Sequence, residues 1–127
     1  MGLKRVVVSG LGALTPIGND IKSYWNGLKS GLSGADKITY FDTSKFKTQF
    51  ACELKGYDPM DFFDRKEGRK LDKFSQYAIV SSDEAINDSG LNNEGIDKGR
   101  VGVIWGSGIG GLKTFQEEVT NLSLIHI

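Results

Sequence analysis

The segment VGVIWGSGIGGLKTF, Val101 to Phe115, poses the problem that decides the fold. A short apolar run ends in a cluster of glycines, and helix-forming residues follow. This is the signature of a strand-to-helix turn in an α/β layered protein. Gly106, Gly108 and Gly111 also satisfy G-x-G-x-x-G, the dinucleotide fingerprint. Lys113 and Thr114 nearly complete a phosphate-binding loop. That loop needs lysine directly after glycine, and here Leu112 intervenes. One inserted residue turns a side chain by about 100° around a helix, so lysine and threonine would point elsewhere. The fingerprint alone is generic, and the acidic residue it requires roughly 20 residues later falls past the end of the sequence. Two readings remain on the residues alone. Either the loop makes a nucleotide-binding α/β module, or close packing excludes side chains from the turn.

Working outward, KRVVVSG near the N-terminus is a second β-branched run closed by Gly10, and it predicts a buried strand like VGVIWG. The loop LGALTPIGN follows, with Pro16 and Gly18 as breakers. Asp20 is a good N-cap for a helix over 21–30, whose Ile21, Tyr24, Trp25 and Leu28 fall on one face. Gly31 supplies its stop. Phe46 to Leu54 alternates weakly and predicts a strand, and Pro59 opens a short helical turn. One long helix is predicted from Arg65 to Asp88, with Leu71, Phe74, Ala78, Ala85 and Ile86 on its buried side. Ser89-Gly90 ends it. Strands alternating with helices give an α/β fold with parallel pairing.

Composition narrows the function. The 127 residues are 39% hydrophobic and 25% charged, with a formal net charge of zero. No global field favours nucleic acid, and no apolar run is long enough to span a bilayer. The expected setting is a reducing cytoplasm, with neither nucleic acid nor membrane as partner. The single cysteine, Cys52, allows no internal disulfide. It reads as a small buried hydrophobe, because the only histidine, His126, sits in a tail that breaks the pattern. No Ser–His–Asp set and no metal-ligand spacing can be built, so no catalytic, cofactor-binding or metal residue is assigned.

Charge is nonetheless concentrated locally. Between Arg65 and Lys73 five cations meet two carboxylates. Lys66, Arg69, Lys70 and Lys73 fall at i, i+3, i+4 and i+7, one face of the predicted helix. They lie in its first turns, where the macrodipole disfavours cations. Such a face either serves an anionic partner or is simply solvated.

These pieces together resemble the β-ketoacyl-[acyl carrier protein] synthases, the condensing enzymes of fatty acid synthesis. The likeness rests on KRVVVSGLGALTPIGND, on the segment from Tyr40 to Leu91 with its DRKE-RK-D-F-QY core, and on RVGVIWGSGIGG. It runs from Leu3 to Val119 and is greatest to the elongation-type (type II) enzyme. The resemblance implies the N-terminal portion, incomplete, of a thiolase-like αβαβα sandwich of stacked βαβαβαββ halves, homodimeric at full length. It implies a nucleophilic cysteine and catalytic histidines that lie after the matched region, so Cys52 inherits no role and the chain alone is expected to be inactive, with a non-catalytic carrier-protein-binding fragment as the alternative. It places Lys66, Arg69 and Lys70 where the family presents basic residues to acidic acyl carrier protein. It places Ile109 where the family's glycine turn approaches the acyl pocket. No cofactor is implied beyond the carrier's phosphopantetheine arm. Residues 1–121 read as the N-terminal part of the synthase domain and 122–127, LSLIHI, as a non-family tail.

Overall fold

The computed structural model describes residues 2–125, so His126 lies outside the described residues. They group into two compact units, one made of the segments up to Asp58 and Val80–Ile96, the other of Pro59–Ile79 and the segment from Asp97 onward.

In the first unit, helix α1 spans Ile21–Lys29. Asp20 caps it as expected. Its carboxylate accepts the Ser23 N–H at 2.8 Å, and the Ser23 hydroxyl accepts the Asp20 N–H in return. The helix ends in a paired closure in which the Leu32 N–H bonds the Gly27 carbonyl and the Gly31 N–H bonds that of Leu28. Two short strands, β1 (Asp36–Lys37) and β2 (Phe50–Ala51), pair antiparallel, with Asp36 opposite Ala51 and Lys37 opposite Phe50. β2 is the kernel of the strand predicted over Phe46–Leu54. The Lys55–Asp36 ion pair, 2.9 Å long, sits beside it on the surface.

In the second unit a 3₁₀ turn at Pro59–Asp61 precedes helix α2, Arg65–Gly68. Helix α3 runs Lys73–Ser89, its residues up to Ile79 belonging to the second unit and those from Val80 to the first. Helix α4 spans Leu112–Ile125.

Four expectations are corrected. The segments KRVVVSG and VGVIWG form no strand, and parallel pairing is absent among the described residues. A buried strand exists only where neighbours satisfy its N–H and C=O groups. The two runs belong to different units, and neither has a paired neighbour in its own. Val6, Val8 and Ile104 stand 91%, 80% and 99% exposed. The predicted long helix is broken into α2 and α3 around Gly68–Asp72. The buried side of α3 is Gln76, Val80 and Ser81, while Leu71, Phe74, Ala78, Ala85 and Ile86 are only half-buried. Cys52, expected inside, is exposed one residue beyond β2. Among the described residues the only large apolar side chains that count as buried are Phe63 and Val80, and neither is fully enclosed.

Candidate functional site

The basic segment is organised by two side chains that are not themselves basic. Asp64 caps α2, its Oδ1 accepting the N–H groups of Lys66 at 2.8 Å and Glu67 at 2.7 Å. At the other end, the buried Gln76 turns its amide back under the break. Its Nε2 donates to the carbonyls of Gly68 at 2.8 Å and Leu71 at 3.0 Å. The Gly68 carbonyl is of the kind that a helix end leaves without an intrahelical partner, and the same glutamine also bonds the Leu71 carbonyl in the turn. Because α2 stops, the stripe expected on one continuous face is not formed. Arg65, Lys66 and Arg69 instead line one shallow open depression. Lys70 is exposed in the turn that follows, and Lys73 begins α3.

The glycine turn lies in the same unit. Residues 101–110 are exposed, with Ile109 at 75%. A Cβ on Gly106 or Gly108 would meet nothing within 4 Å. A Cβ on Gly110 would stand 2.8 Å from the Phe74 ring. Gly111 has φ +65°, and a Cβ there would stand 2.6 Å from Oδ2 of Asp72. So the packing demand for glycine falls on Gly110 and Gly111, where the turn meets the start of α3. The Thr114 hydroxyl bonds Oδ1 of Asp72. Leu71, Asp72, Phe74, Gly111, Leu112 and Thr114 line an open cleft of about 290 Å³. Ile109 is not part of its wall.

This geometry speaks against the phosphate-loop reading. Thr114 is occupied by Asp72, and Lys113 pairs with Glu117 at 3.5 Å. A carboxylate already stands at the α4 N-terminus, where a phosphate would have to bind.

Sequence reasoning missed the clamp of the first unit. Glu84 of α3 accepts the Ala13 N–H through Oε2 and the Ile21 N–H through Oε1, both at 2.8 Å. Asp88, one turn on, accepts the Leu11 N–H at 2.9 Å. The loop lies so close that a Cβ on Gly12 would fall 1.9 Å from the Ser81 carbonyl oxygen. The signal available was the i, i+4 pair of carboxylates on the helix face beside a glycine-rich loop. Among the described residues no cluster of three or more metal-ligating side chains occurs, and no helix is long and apolar enough to cross a membrane.

A family model described as the β-ketoacyl synthase N-terminal domain matches residues 3–124. The chain belongs to the β-ketoacyl synthase family. Over 113 residues it is 48% identical to 3-oxoacyl-[acyl-carrier-protein] synthase 2 of Staphylococcus aureus (strain N315), covering 89% of this chain and 27% of that protein. The chain thus spans about a quarter of the length of that curated relative. A crystal structure of a β-ketoacyl synthase from Burkholderia phymatum STM815 superposes with a TM-score of 0.73 at 30% identity, over 95% of this chain and 30% of that one. A type II polyketide ketosynthase, solved in complex with its acyl-carrier protein, superposes at 0.50 with 24% identity. It covers 76% of this chain and 23% of that chain, and it supports the fold alone. The fold is therefore an incomplete portion of the thiolase-like α/β architecture, in an acyltransferase family.

Proposed function

We propose that this chain is the N-terminal part of a 3-oxoacyl-[acyl carrier protein] synthase of fatty acid elongation. The observation that carries the reading is the family match over residues 3–124, joined to 48% identity with a synthase of that name. At full family length the reaction is a decarboxylating Claisen condensation. The acyl group passes from the carrier thiol to a cysteine of the enzyme. Malonyl carrier protein loses carbon dioxide, and the resulting carbanion attacks the acyl thioester and releases the cysteine. Histidines stabilise the negative charge that develops.

In this reading Lys66, Arg69 and Lys70 meet acyl carrier protein. Their exposure supports it, as does the depression that Lys66 and Arg69 line with Arg65. None of these three makes an ion pair among the described residues, so their charges are available to an acidic partner. Ile109 faces the acyl group, and the full-length enzyme is a cytoplasmic homodimer. The cysteine and histidines belong to later parts of the family's chain, so the 127 residues alone do not condense. Exposed apolar runs such as Val6–Val8 also leave them marginally stable in isolation.

The test is a radiolabelled malonyl-carrier condensation assay. A synthase of full family length bearing this segment should form 3-oxoacyl carrier protein, and the 127-residue polypeptide should form none. No product from the long protein would refute the reading, and turnover by the short one would refute the division of labour.

A further inference from the structure

We infer that Asp72 is a positioning residue that fixes the glycine turn and so sets where Ile109 stands relative to the acyl chain. The inference rests on the synthase reading above. Three observations carry it.

First, Asp72 is itself held. Its backbone carbonyl accepts the Gln76 N–H at 3.0 Å, and the preceding carbonyl, of Leu71, accepts the side-chain amide of the same buried glutamine. The carboxylate therefore projects from an anchored backbone.

Second, it reaches across to the element that follows the turn. Helix α4 begins directly after Gly111, a residue with no side chain to serve as a cap. Asp72 brings a carboxylate to that helix end and accepts the hydroxyl of Thr114 in its first turn. Negative charge there is favoured by the helix dipole.

Third, the contact leaves the turn little freedom. Gly111 is in the left-handed region, where a Cβ would stand 2.6 Å from Oδ2 of Asp72, and a Cβ on Gly110 would stand 2.8 Å from the ring of Phe74, two residues from Asp72. Ile109 precedes this fixed pair directly. Loosening the Asp72–Thr114 contact frees the turn at the point that orients Ile109.

The experiment uses the full-length synthase, with Asp72→Ala, Asp72→Asn and Thr114→Val. The readouts are kcat/KM across acyl primers of increasing length and amide exchange at Ile109 to Gly111. Asp72→Ala and Thr114→Val should each change the long-to-short preference by about two- to tenfold, the range that one net hydrogen bond spans. The double variant should go little further, since both remove the same contact. Asp72→Asn keeps an acceptor for Thr114 and should restore most of the preference. Exchange at the turn should rise in the same order. A uniform change across chain lengths, or unchanged exchange in Thr114→Val, overturns the inference. Thr114→Val preserves side-chain volume, so it decides the matter even if Asp72→Ala fails to fold. An enzyme with no condensing activity would refute the synthase reading, while exchange at the turn would still judge Asp72.

Discussion

Glu84 accepts the backbone N–H of Ile21, the first residue of α1, at 2.8 Å through one carboxylate oxygen and that of Ala13 through the other. One side chain on α3 thus fixes both the glycine-rich loop and the helix after it. Glu84→Ala leaves two half-buried donors without an acceptor and should cost about 1–3 kcal/mol. Glu84→Gln, with one acceptor oxygen, should cost roughly half as much. Denaturant midpoints measure the loss, and faster exchange at the Ala13 and Ile21 amides localises it. A Gln variant with wild-type exchange at both amides would show that the clamp does not need the carboxylate.

The cap of α1 predicts a pH dependence. The Ser23 N–H, and after it the Ser23 hydroxyl, hold the Asp20 carboxyl below its ordinary value of 3.8. A carboxyl lowered in the folded state stabilises it fully above the ordinary value. That contribution is lost as pH falls through the lowered one. Carbonyl NMR of the Asp20 side chain should therefore titrate below an ordinary aspartate. Protection of α1 should fall only under about pH 4, and Asp20→Asn should remove that step while keeping an acceptor.

What could be read in advance was local chemistry. Asp20 before an amphipathic run, Gly31 and Gly90 after helical ones, and Pro59 at a turn each act through their immediate neighbours. The family came from the order and spacing of several motifs, and the roles expected of Lys66 and Ile109 came only with that resemblance. The strands were misjudged because Val6–Val8 and Val103–Trp105 need partners that local sequence does not specify. The break at Gly68 was hidden because it is sustained by Gln76, eight residues away in sequence, and periodicity carried the basic stripe through it. Asp72 escaped notice for a similar reason, since its partner Thr114 is 42 residues distant.

Charge reversal tests the basic segment in the full-length enzyme. Lys66→Glu and Arg69→Glu should raise KM for carrier-linked substrates by about tenfold together and flatten their salt dependence. Activity on a small thioester without the protein carrier should hardly move. Equal losses on both substrates would mean that these residues support α2 rather than meet the carrier.

The glycines of the turn should not be equivalent. Gly111→Ala imposes a side chain at φ +65° and drives it against Asp72, so it should destabilise the start of α4 by about 1 kcal/mol or more. Gly106→Ala meets open space and should stay within about 0.5 kcal/mol in this polypeptide. Amide exchange at Phe115, whose N–H bonds the Gly111 carbonyl at 2.9 Å, reports the difference.

Ile109 is the one bulky side chain between Gly106 and Gly111, and that side chain is 75% exposed. Glycines on either side allow close approach of the backbone to a ligand, and in the proposed synthase the isoleucine would define how much room remains. An acyl chain offers only CH₂ groups, each worth about 0.8 kcal/mol when buried, or roughly a factor of four in binding. Ile109→Phe in the full-length synthase fills space that the far end of a long primer would occupy. It should lower kcat/KM for long acyl primers by about fourfold for each methylene excluded and spare short ones. Primers of stepped length, compared in one assay, give the profile directly. A loss independent of chain length would mean that Ile109 packs against protein and takes no part in selecting the acyl group.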